Sequence, residues 1–252
     1  MVVSTDARTE LGRLQGRGVT VAVVDSGWCS EKPDARVLPG RSVLAAEGDS
    51  TVDIVGHGTL CGARVLQVAP QARIIPIKVF SRRLETSVQT LCRGIAVACE
   101  FEVDVINLSL ATQLEDAIRP LYELCERARR DGIIVVASAH NQHVPAVPAY
   151  LEPVLSVGEG RQHDLLDFTF DPDGPVECTA AGSAVPILLT DGRTRPRAGS
   201  SVAAATMSGI VARLVQGGSG DLDSIRARLR TLASPMPHPP MAGGGGSGLR
   251  SR

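Results

Sequence analysis

Three short segments of this chain place an acid, a base and a hydroxyl beside small residues. Asp25 follows Val-Val and precedes Ser-Gly, His57 lies between two glycines, and Ser201 follows Gly-Ser. A serine hydroxyl becomes an effective nucleophile when a neighbouring base takes its proton, and a carboxylate behind that base fixes its tautomer and stabilises the imidazolium. These residue types predict acyl transfer, with Ser201 as nucleophile, His57 as general base and acid, and Asp25 as the orienting carboxylate.

Each of these residues also has an ordinary structural interpretation. An Asp at the end of a strand is common in α/β proteins, and a serine at the start of a helix is often only its N-cap. A histidine bracketed by glycines at a helix start is poorly suited to core packing, so this interpretation is weakest for His57. Ser200 precedes Ser201, and the register of the motif favours Ser201 as the nucleophile.

The elements that must position these residues alternate between β-rich and helical patterns. The apolar, β-branched run from Val19 to Val24 is typical of a buried parallel strand. Further strands are predicted at 73–79, 103–108, 133–138 and 154–157, and helices at 57–68, 87–100, 114–130, 202–215 and 221–232. This alternation predicts an α/β fold with a doubly wound, mostly parallel sheet flanked by helices. In such sheets, sites form beyond the carboxyl ends of the strands.

Length and composition indicate one domain and exclude several kinds of site. The 252 residues suit a single domain, which we assign to 1–233, followed by a flexible Pro/Gly-rich tail at 234–252. With 26 basic and 27 acidic residues the net charge is -1, so no nucleic-acid or membrane partner is expected. The six cysteines lack zinc-ligand spacing and are expected to be reduced, so we expect no metal and no cofactor.

Together, the three segments resemble the signature blocks of the subtilisin-like (subtilase, S8-type) serine peptidases. They read Val-Val-Asp-Ser-Gly, Gly-His-Gly-Thr-Leu-Cys-Gly and Gly-Ser-Ser-Val-Ala. The chain order Asp, His, Ser is also that of subtilisin and differs from the orders in chymotrypsin and the α/β-hydrolases. The resemblance extends over residues 15–217 and implies a subtilisin-like fold, with residues 1–233 as the peptidase domain.

The resemblance further implies an oxyanion hole and a peptide cleft. Asn141, after the strand Ile-Ile-Val-Val-Ala, would donate its amide to the oxyanion together with the backbone N–H of Ser201. A peptide would lie as an added strand between Leu84-Glu85-Thr86 and Ser109-Leu110-Ala111, where Glu85 either favours basic side chains or is only a solvated edge residue.

Departures from the family pattern predict differences in the cleft and in metal binding. Ala111 and His140 stand where the family has glycines beside the pocket for the residue preceding the scissile bond. This substitution predicts a narrow pocket for Gly, Ala or Ser, or a hydrogen bond from His140 to a polar side chain; alternatively, His140 points into solvent. The family's calcium-binding loop is replaced by an uninterrupted helical pattern at 65–71, so no calcium site is expected.

We therefore predict a serine endopeptidase that forms an acyl-enzyme on peptide or protein substrates. The N-terminus lacks a signal peptide and a propeptide, which favours a cytoplasmic processing protease for one restricted substrate, such as a precursor peptide. The alternative is a catalytically silent peptide-binding domain of the same fold. An α/β-hydrolase esterase is disfavoured, because Ser201 is not in a Gly-x-Ser-x-Gly elbow.

Overall fold

An eight-stranded sheet carries Asp25 at the end of one of its central strands. The structure is a computed structural model that describes residues 5–30, 33–44, 48, 50–142, 144–183, 185–188 and 194–235. The strands are β1 Thr20–Asp25, β2 Arg41–Ser42, β3 Arg73–Lys78, β4 Val105–Leu108, β5 Ile134–Ser138, β6 Val154–Gly160, β7 Phe168–Phe170, β8 Cys178–Ala181, β9 Val185–Leu188 and β10 Thr194–Arg197. Nearly all of the predicted tail, from residue 236 onward, lies outside the described residues.

The sheet is parallel except at one edge. Its strand order is β2-β3-β1-β4-β5-β6-β8-β7, and only the β7–β8 pairing among these strands is antiparallel. β9 and β10 form a separate antiparallel pair. The chain crosses from β1 to β3 on one side and to β4 on the other, so β1 lies where the strand order reverses. Such a switch point opens a crevice at the carboxyl ends of the strands.

In the described part of the chain, six α-helices cover the two faces of the sheet. They are α1 Thr5–Arg13, α2 His57–Val68, α3 Val88–Glu100, α4 Ile118–Arg130, α5 Ser200–Gln216 and α6 Leu222–Leu232, and a 3-10 helix, Glu115–Ala117, precedes α4. One apolar core contains α2 and α5 with Val21 and Val23 of β1, and the other contains α3 and α4 with Ala22 and Val24. The predicted doubly wound α/β fold is confirmed.

Close packing of α2 against α5 fixes the distance between the histidine and the serine. A Cβ atom added to Gly209 of α5 would lie 2.5 Å from Cβ of Val68 and 3.1 Å from the backbone oxygen of Val65, both on α2. Real Cβ atoms do not approach so closely, so only glycine permits this helix separation. The small residues at the start of α5, Ala203, Ala204 and Ala205, are fully buried.

The sequence patterns did not predict one helix and five short strands. These elements are α1, β2 and the strands from β7 to β10, which have two to four residues each apart from α1. Short strands give too few alternations for a period-2 pattern to be recognised. Among the described residues, none of the helices combines the length and the apolar character that crossing a bilayer requires.

Candidate active site

Asp25 and His57 form a buried hydrogen-bonded pair at the carboxyl end of β1. Nδ1 of His57 lies 2.9 Å from each carboxylate oxygen of Asp25. Asp25 is fully buried and also accepts a hydrogen bond from the backbone N–H of Ser26. Because Nδ1 faces the carboxylate, the proton of neutral His57 is held there, and Nε2 is left as the basic nitrogen.

Opposing effects act on the pKa of His57. Burial of the ring lowers the pKa, because the charged form loses its hydration, whereas the Asp25 carboxylate raises it. The net direction is upward, because the carboxylate lies in direct contact with Nδ1. Asp25 therefore makes His57 a stronger proton acceptor than a solvated imidazole, as a general base requires.

Glycines bring the end of β1 against the start of α2. Gly27 has a φ of 107°, and a Cβ atom on it would lie 2.1 Å from the backbone oxygen of Thr51. A Cβ atom on Gly58 would lie 2.4 Å from the backbone oxygen of Gly27. The backbone N–H of Gly58 instead donates to the hydroxyl of Ser26 at 2.9 Å. The glycines beside Asp25 and His57 thus allow the two side chains to meet.

Asp53 holds the start of the histidine helix and was missed by the sequence reasoning. One carboxylate oxygen of Asp53 accepts from the backbone N–H groups of Val55 and Gly56, and the other accepts from the N–H and hydroxyl of Thr59. Asp53 is only 1% exposed. An Asp shortly before a predicted helix is a capping signal, and this signal could have identified it.

Ser201 lies in the first turn of α5 and contacts the chain just after β4. Its hydroxyl donates to the backbone oxygen of Ser109 at 3.2 Å, while the hydroxyl of Ser109 donates to the backbone oxygen of Ser201 at 3.0 Å. Ser201 and His57 line the same cavity. The candidate nucleophile and the candidate base therefore face the same space.

Ser200 contacts Asn141, so the two adjacent serines have different surroundings. The side-chain oxygen of Asn141 accepts from the backbone N–H of Ser200 at 3.1 Å and from its hydroxyl at 2.8 Å. Because the carboxamide oxygen is occupied in this way, the amide NH₂ of Asn141 is the group left to donate to a ligand. Ser200 is 4% exposed and lines a cavity together with Asn141, whereas Ser201 lines the cavity that contains His57.

A cavity of about 310 Å³ brings together most of the predicted cleft. It is lined by His57, Phe80, Leu84, Glu85, Thr86, Ser87, Val88, Leu91, Ser109, Leu110, Ala111, Thr112, Leu114 and Ser201. The two segments expected to flank a peptide therefore face one space next to the candidate nucleophile. The segment Leu84 to Thr86 has no regular secondary structure in the peptide-free protein.

His140 lies apart from this cavity. It lines a second cavity of about 290 Å³ together with Asn141, Tyr150, Glu159 and Gly199. Its Nδ1 accepts from the backbone N–H of Gln142 at 3.2 Å, a contact confined to its own turn. The structure therefore does not bring His140 together with Ala111, and the predicted narrowing of the first cavity depends on Ala111 alone.

One group of potential metal ligands occurs among the described residues, and it overlaps the histidine pair. Ligand atoms of Asp25, His57 and Cys61 lie within 4.8 Å of one another, with Sγ of Cys61 3.9 Å from Nδ1 of His57. A metal ion there would need Nδ1 and the carboxylate, which already bond each other. The α2 helix runs without interruption from His57 to Val68, as the sequence predicted.

Known proteins resemble this chain over most of its length. The chain is 31% identical to a thermostable alkaline protease of Halalkalibacterium halodurans, over 91% of this chain and 66% of that protein. It is 28% identical to an intracellular serine protease of Paenibacillus polymyxa, over 81% of this chain and 68% of that protein. The chain thus spans about two thirds of the length of these relatives.

Solved structures share the fold. A cold-adapted subtilisin-like serine proteinase superposes with a TM-score of 0.70 at 22% identity, covering 86% of this chain and 81% of that one. A lanthipeptide protease superposes with a TM-score of 0.69 at 19% identity, covering 90% of this chain and 83% of that one. The model of the subtilase family matches residues 16–239. This chain therefore belongs to the subtilase family of serine proteases.

Proposed function

We propose that this chain is a serine endopeptidase that uses Asp25, His57 and Ser201 as a catalytic triad. One observation carries the proposal: His57 is hydrogen-bonded to buried Asp25 through Nδ1 and lines a peptide-sized cavity together with Ser201. Family membership and the serine proteases among the relatives support the same activity.

Acylation begins when the Ser201 hydroxyl turns from the backbone oxygen of Ser109 towards Nε2 of His57. Nε2 takes the hydroxyl proton as Oγ attacks the peptide carbonyl carbon, and Asp25 stabilises the resulting imidazolium. The negative charge on the former carbonyl oxygen is stabilised by the Asn141 amide and the backbone N–H of Ser201, at the N-terminus of α5. The C–N bond then breaks, and His57 returns the proton to the leaving amine.

Deacylation repeats these steps with water. His57 takes a proton from the water as its oxygen attacks the acyl carbon, and the proton passes to Oγ of Ser201 when the ester bond breaks. Each step uses side chains and backbone groups of this chain, and none requires a cofactor.

The half of the substrate that carries the scissile carbonyl remains attached to Ser201 between the two steps. We therefore assign that N-terminal half to the cavity, between Leu84-Glu85-Thr86 and Ser109-Leu110-Ala111. The exposed backbone of these segments can pair with a peptide as with an added strand. The methyl group of Ala111 favours a small residue directly before the scissile bond. Glu85 favours a basic residue elsewhere in the N-terminal half of the substrate.

We further propose a cytoplasmic processing role on a restricted substrate, such as a precursor peptide. Two relatives named intracellular serine proteases, from Paenibacillus polymyxa and Bacillus subtilis, support the location. The similarity of the fold to a lanthipeptide protease fits a dedicated peptide substrate. The second candidate function is a silent peptide-binding domain. The Ser201 hydroxyl donates to the backbone oxygen of Ser109 and not to His57, and a hydrogen bond to Ser109 that persists with peptide bound would favour the silent domain.

Labelling with a fluorophosphonate probe tests the proposal without knowledge of the substrate. We expect wild-type protein to be labelled at Ser201, as located by mass spectrometry, and the Ser201→Ala and His57→Ala variants to remain unlabelled. Circular dichroism of all three proteins controls for folding. A folded wild-type protein that is not labelled would reject the peptidase and favour the silent binding domain.

A further inference from the structure

A stripe of exposed apolar side chains continues from the cavity along the outside of α4. Leu114, Ile118 and Tyr122 recur at intervals of four residues and are 57%, 47% and 42% exposed. Ile118 and Tyr122 are surface neighbours on α4, because residues four apart on an α-helix face the same side, and Leu114 lies directly before the 3-10 helix that leads into α4. We call these three residues the apolar stripe.

The apolar stripe is separate from the face of α4 that packs in the protein core. The core-facing residues of α4 are Leu121, Cys125 and Ala128, and Ala117 at the end of the preceding 3-10 helix also faces the core; all four are fully buried. Ile118 and Tyr122 each come one residue after a core-facing residue. Their side chains are therefore rotated by about 100° around the helix axis from the core-facing side. Their exposure therefore has no explanation in the folding of α4, and contiguous exposed apolar residues mark interaction sites.

One end of the apolar stripe lies inside the proposed substrate cavity. Leu114 lines that cavity together with Leu84, which is itself 37% exposed, and with Leu110 and Leu91. The apolar surface thus begins beside the candidate peptide path and leads away from it over Ile118 and Tyr122. This continuity identifies the occupant as a part of the substrate itself.

The two charged side chains that follow Ile118 and Tyr122 on α4 bind each other. Arg119 and Glu123 pair with each other across one helical turn at 2.8 Å. Recognition at Ile118 and Tyr122 is therefore apolar. Ile118 and Tyr122 lie about 6 Å apart along α4, a length that about two extended residues or about four helical residues would cover, and Leu114 adds the turn that precedes α4.

We infer that the apolar stripe binds an apolar segment of the substrate that lies N-terminal to the residues held in the cavity. This inference rests on the proposed peptidase function, which assigns the N-terminal half of the substrate to the cavity. It makes the substrate class a peptide with an apolar segment preceding the cleavage region, recognised by the enzyme at a distance from Ser201.

The test uses the Ser201→Ala protein and fluorescein-labelled peptides, so that binding is measured without cleavage. Two peptides share the sequence Ala-Ala-Pro-Ala at the C-terminus and carry N-terminal extensions of about eight residues, one rich in leucine and one with serine at the same positions. We expect the leucine-extended peptide to bind roughly tenfold more tightly by fluorescence anisotropy.

The same measurement is repeated after Ile118→Gln and Tyr122→Gln are combined in the Ser201→Ala protein. Glutamine preserves helix propensity, and Leu114 is kept because it also lines the cavity. We expect the advantage of the leucine extension to disappear, whereas Arg119→Gln on the same helix should retain it. The inference is overturned by equal affinities for the two peptides, by an advantage that survives the double substitution, or by no saturable binding of the leucine-extended peptide.

Two further readouts separate this inference from its competitors. Fluorophosphonate labelling of Ser201 in the wild-type protein reports on the peptidase site alone. If the wild type is not labelled but the Ser201→Ala protein still prefers the leucine-extended peptide, the peptidase function is rejected and apolar recognition is not.

Sedimentation velocity reports self-association. A dimer of the Ser201→Ala protein that the Ile118→Gln and Tyr122→Gln substitutions dissociate would show that a second copy covers the stripe, and would also overturn the inference.

Discussion

Ser109 and Ser201 hydrogen-bond to each other in both directions. The Ser201 hydroxyl donates to the backbone oxygen of Ser109, and the Ser109 hydroxyl donates to that of Ser201. The Ser109 hydroxyl also lies 3.0 Å from the carboxamide oxygen of Asn107, which is buried. This arrangement joins the start of α5 to the end of β4 and fixes the candidate nucleophile relative to one wall of the cavity.

The substitution Ser109→Ala should lower both stability and reactivity. It removes the single hydroxyl proton that the backbone oxygen of Ser201 and the buried carboxamide oxygen of Asn107 share, so we expect the free energy of unfolding to fall by about 1–3 kcal/mol. Urea denaturation measures this loss, and fluorophosphonate labelling should slow by about tenfold. Thr231→Ala is the matched control, because its exposed hydroxyl bonds only within α6. Equal stability of Ser109→Ala and Thr231→Ala would show that the reciprocal bond contributes nothing.

Ser200→Ala should reduce reactivity by releasing the Asn141 carboxamide. The amide would lose the hydroxyl donor that holds its oxygen, and its NH₂ would point towards the oxyanion for less of the time. We expect the labelling rate constant to fall by about tenfold, less than the 10²–10³ expected for Asn141→Ala. Ser200→Thr keeps the hydroxyl and should restore most of the rate. A Ser200→Thr variant as slow as Ser200→Ala would argue for a packing effect.

Gly209→Ala should weaken the contact between the two catalytic helices. The added Cβ would lie 2.5 Å from that of Val68, so α5 must move away from α2 at a cost of about 1–3 kcal/mol. We expect a lower melting temperature and slower labelling of Ser201. Gly12→Ala is the control, because a Cβ there meets no atom within 4 Å. Unchanged labelling of Gly209→Ala would show that the helix separation is not critical for reactivity.

The rate of Ser201 labelling should rise with pH. His57 must be neutral to take the serine proton, and the Asp25 carboxylate raises the pKa of His57 above the ordinary histidine value of 6.5. The labelling rate should therefore increase along a titration curve whose midpoint lies above 6.5. Asp25→Asn should shift that midpoint downwards, because the variant lacks the charge that stabilises the imidazolium. A midpoint at or below 6.5 in the wild type would contradict the raised pKa.

The raised pKa of His57 also makes the stability of the protein depend on pH. Because the folded-state pKa of His57 is raised, the ion pair with Asp25 contributes fully below pH 6.5 and its contribution is lost as the pH rises through the folded-state pKa. The difference in unfolding free energy between wild type and His57→Gln should therefore favour the wild type most at low pH. Urea denaturation across this range measures it, and a difference that grows with pH would contradict the sign.

A chelator should not lower the melting temperature. The helix α2 is continuous where the family often has a calcium-binding loop, so it offers no cluster of oxygen ligands at that position. Differential scanning fluorimetry with and without EDTA checks this expectation. A substantial fall that added calcium reverses would indicate a calcium site elsewhere in the chain.

The sequence predicted which residues could form the candidate site but not the contacts that support them. Asp25 was predicted at a strand end, and His57 and Ser201 at helix starts beside small residues; the structure has them at these places, and their catalytic roles stay predictions. The role of Asp53 was missed because it depends on a turn whose backbone N–H groups converge on one carboxylate. The contact between Ser200 and Asn141 joins segments distant in the sequence, so no local pattern could reveal it.

The position of His140 shows a different kind of limit. Its place in the sequence, directly before Asn141, suggested the wall of the first cavity, but the side chain lines the second. Asn141 lines that same second cavity, so the turn after β5 carries both residues away from the wall formed by Ala111. The apolar stripe was missed for a related reason, because the predicted helix at 114–130 does not by itself indicate which of its apolar residues are buried.

The contact between α2 and α5 also has a consequence for the synthesis of the protein. The general base lies on the earlier helix and the nucleophile on the later one, and each packs on the other through the glycine contact at Gly209. A chain from which α5 is missing contains Asp25 and His57 but neither Ser201 nor the apolar residues of α5 that pack against α2. The candidate base and the candidate nucleophile can therefore meet only after the chain up to α5 has been synthesised and α5 has packed against α2.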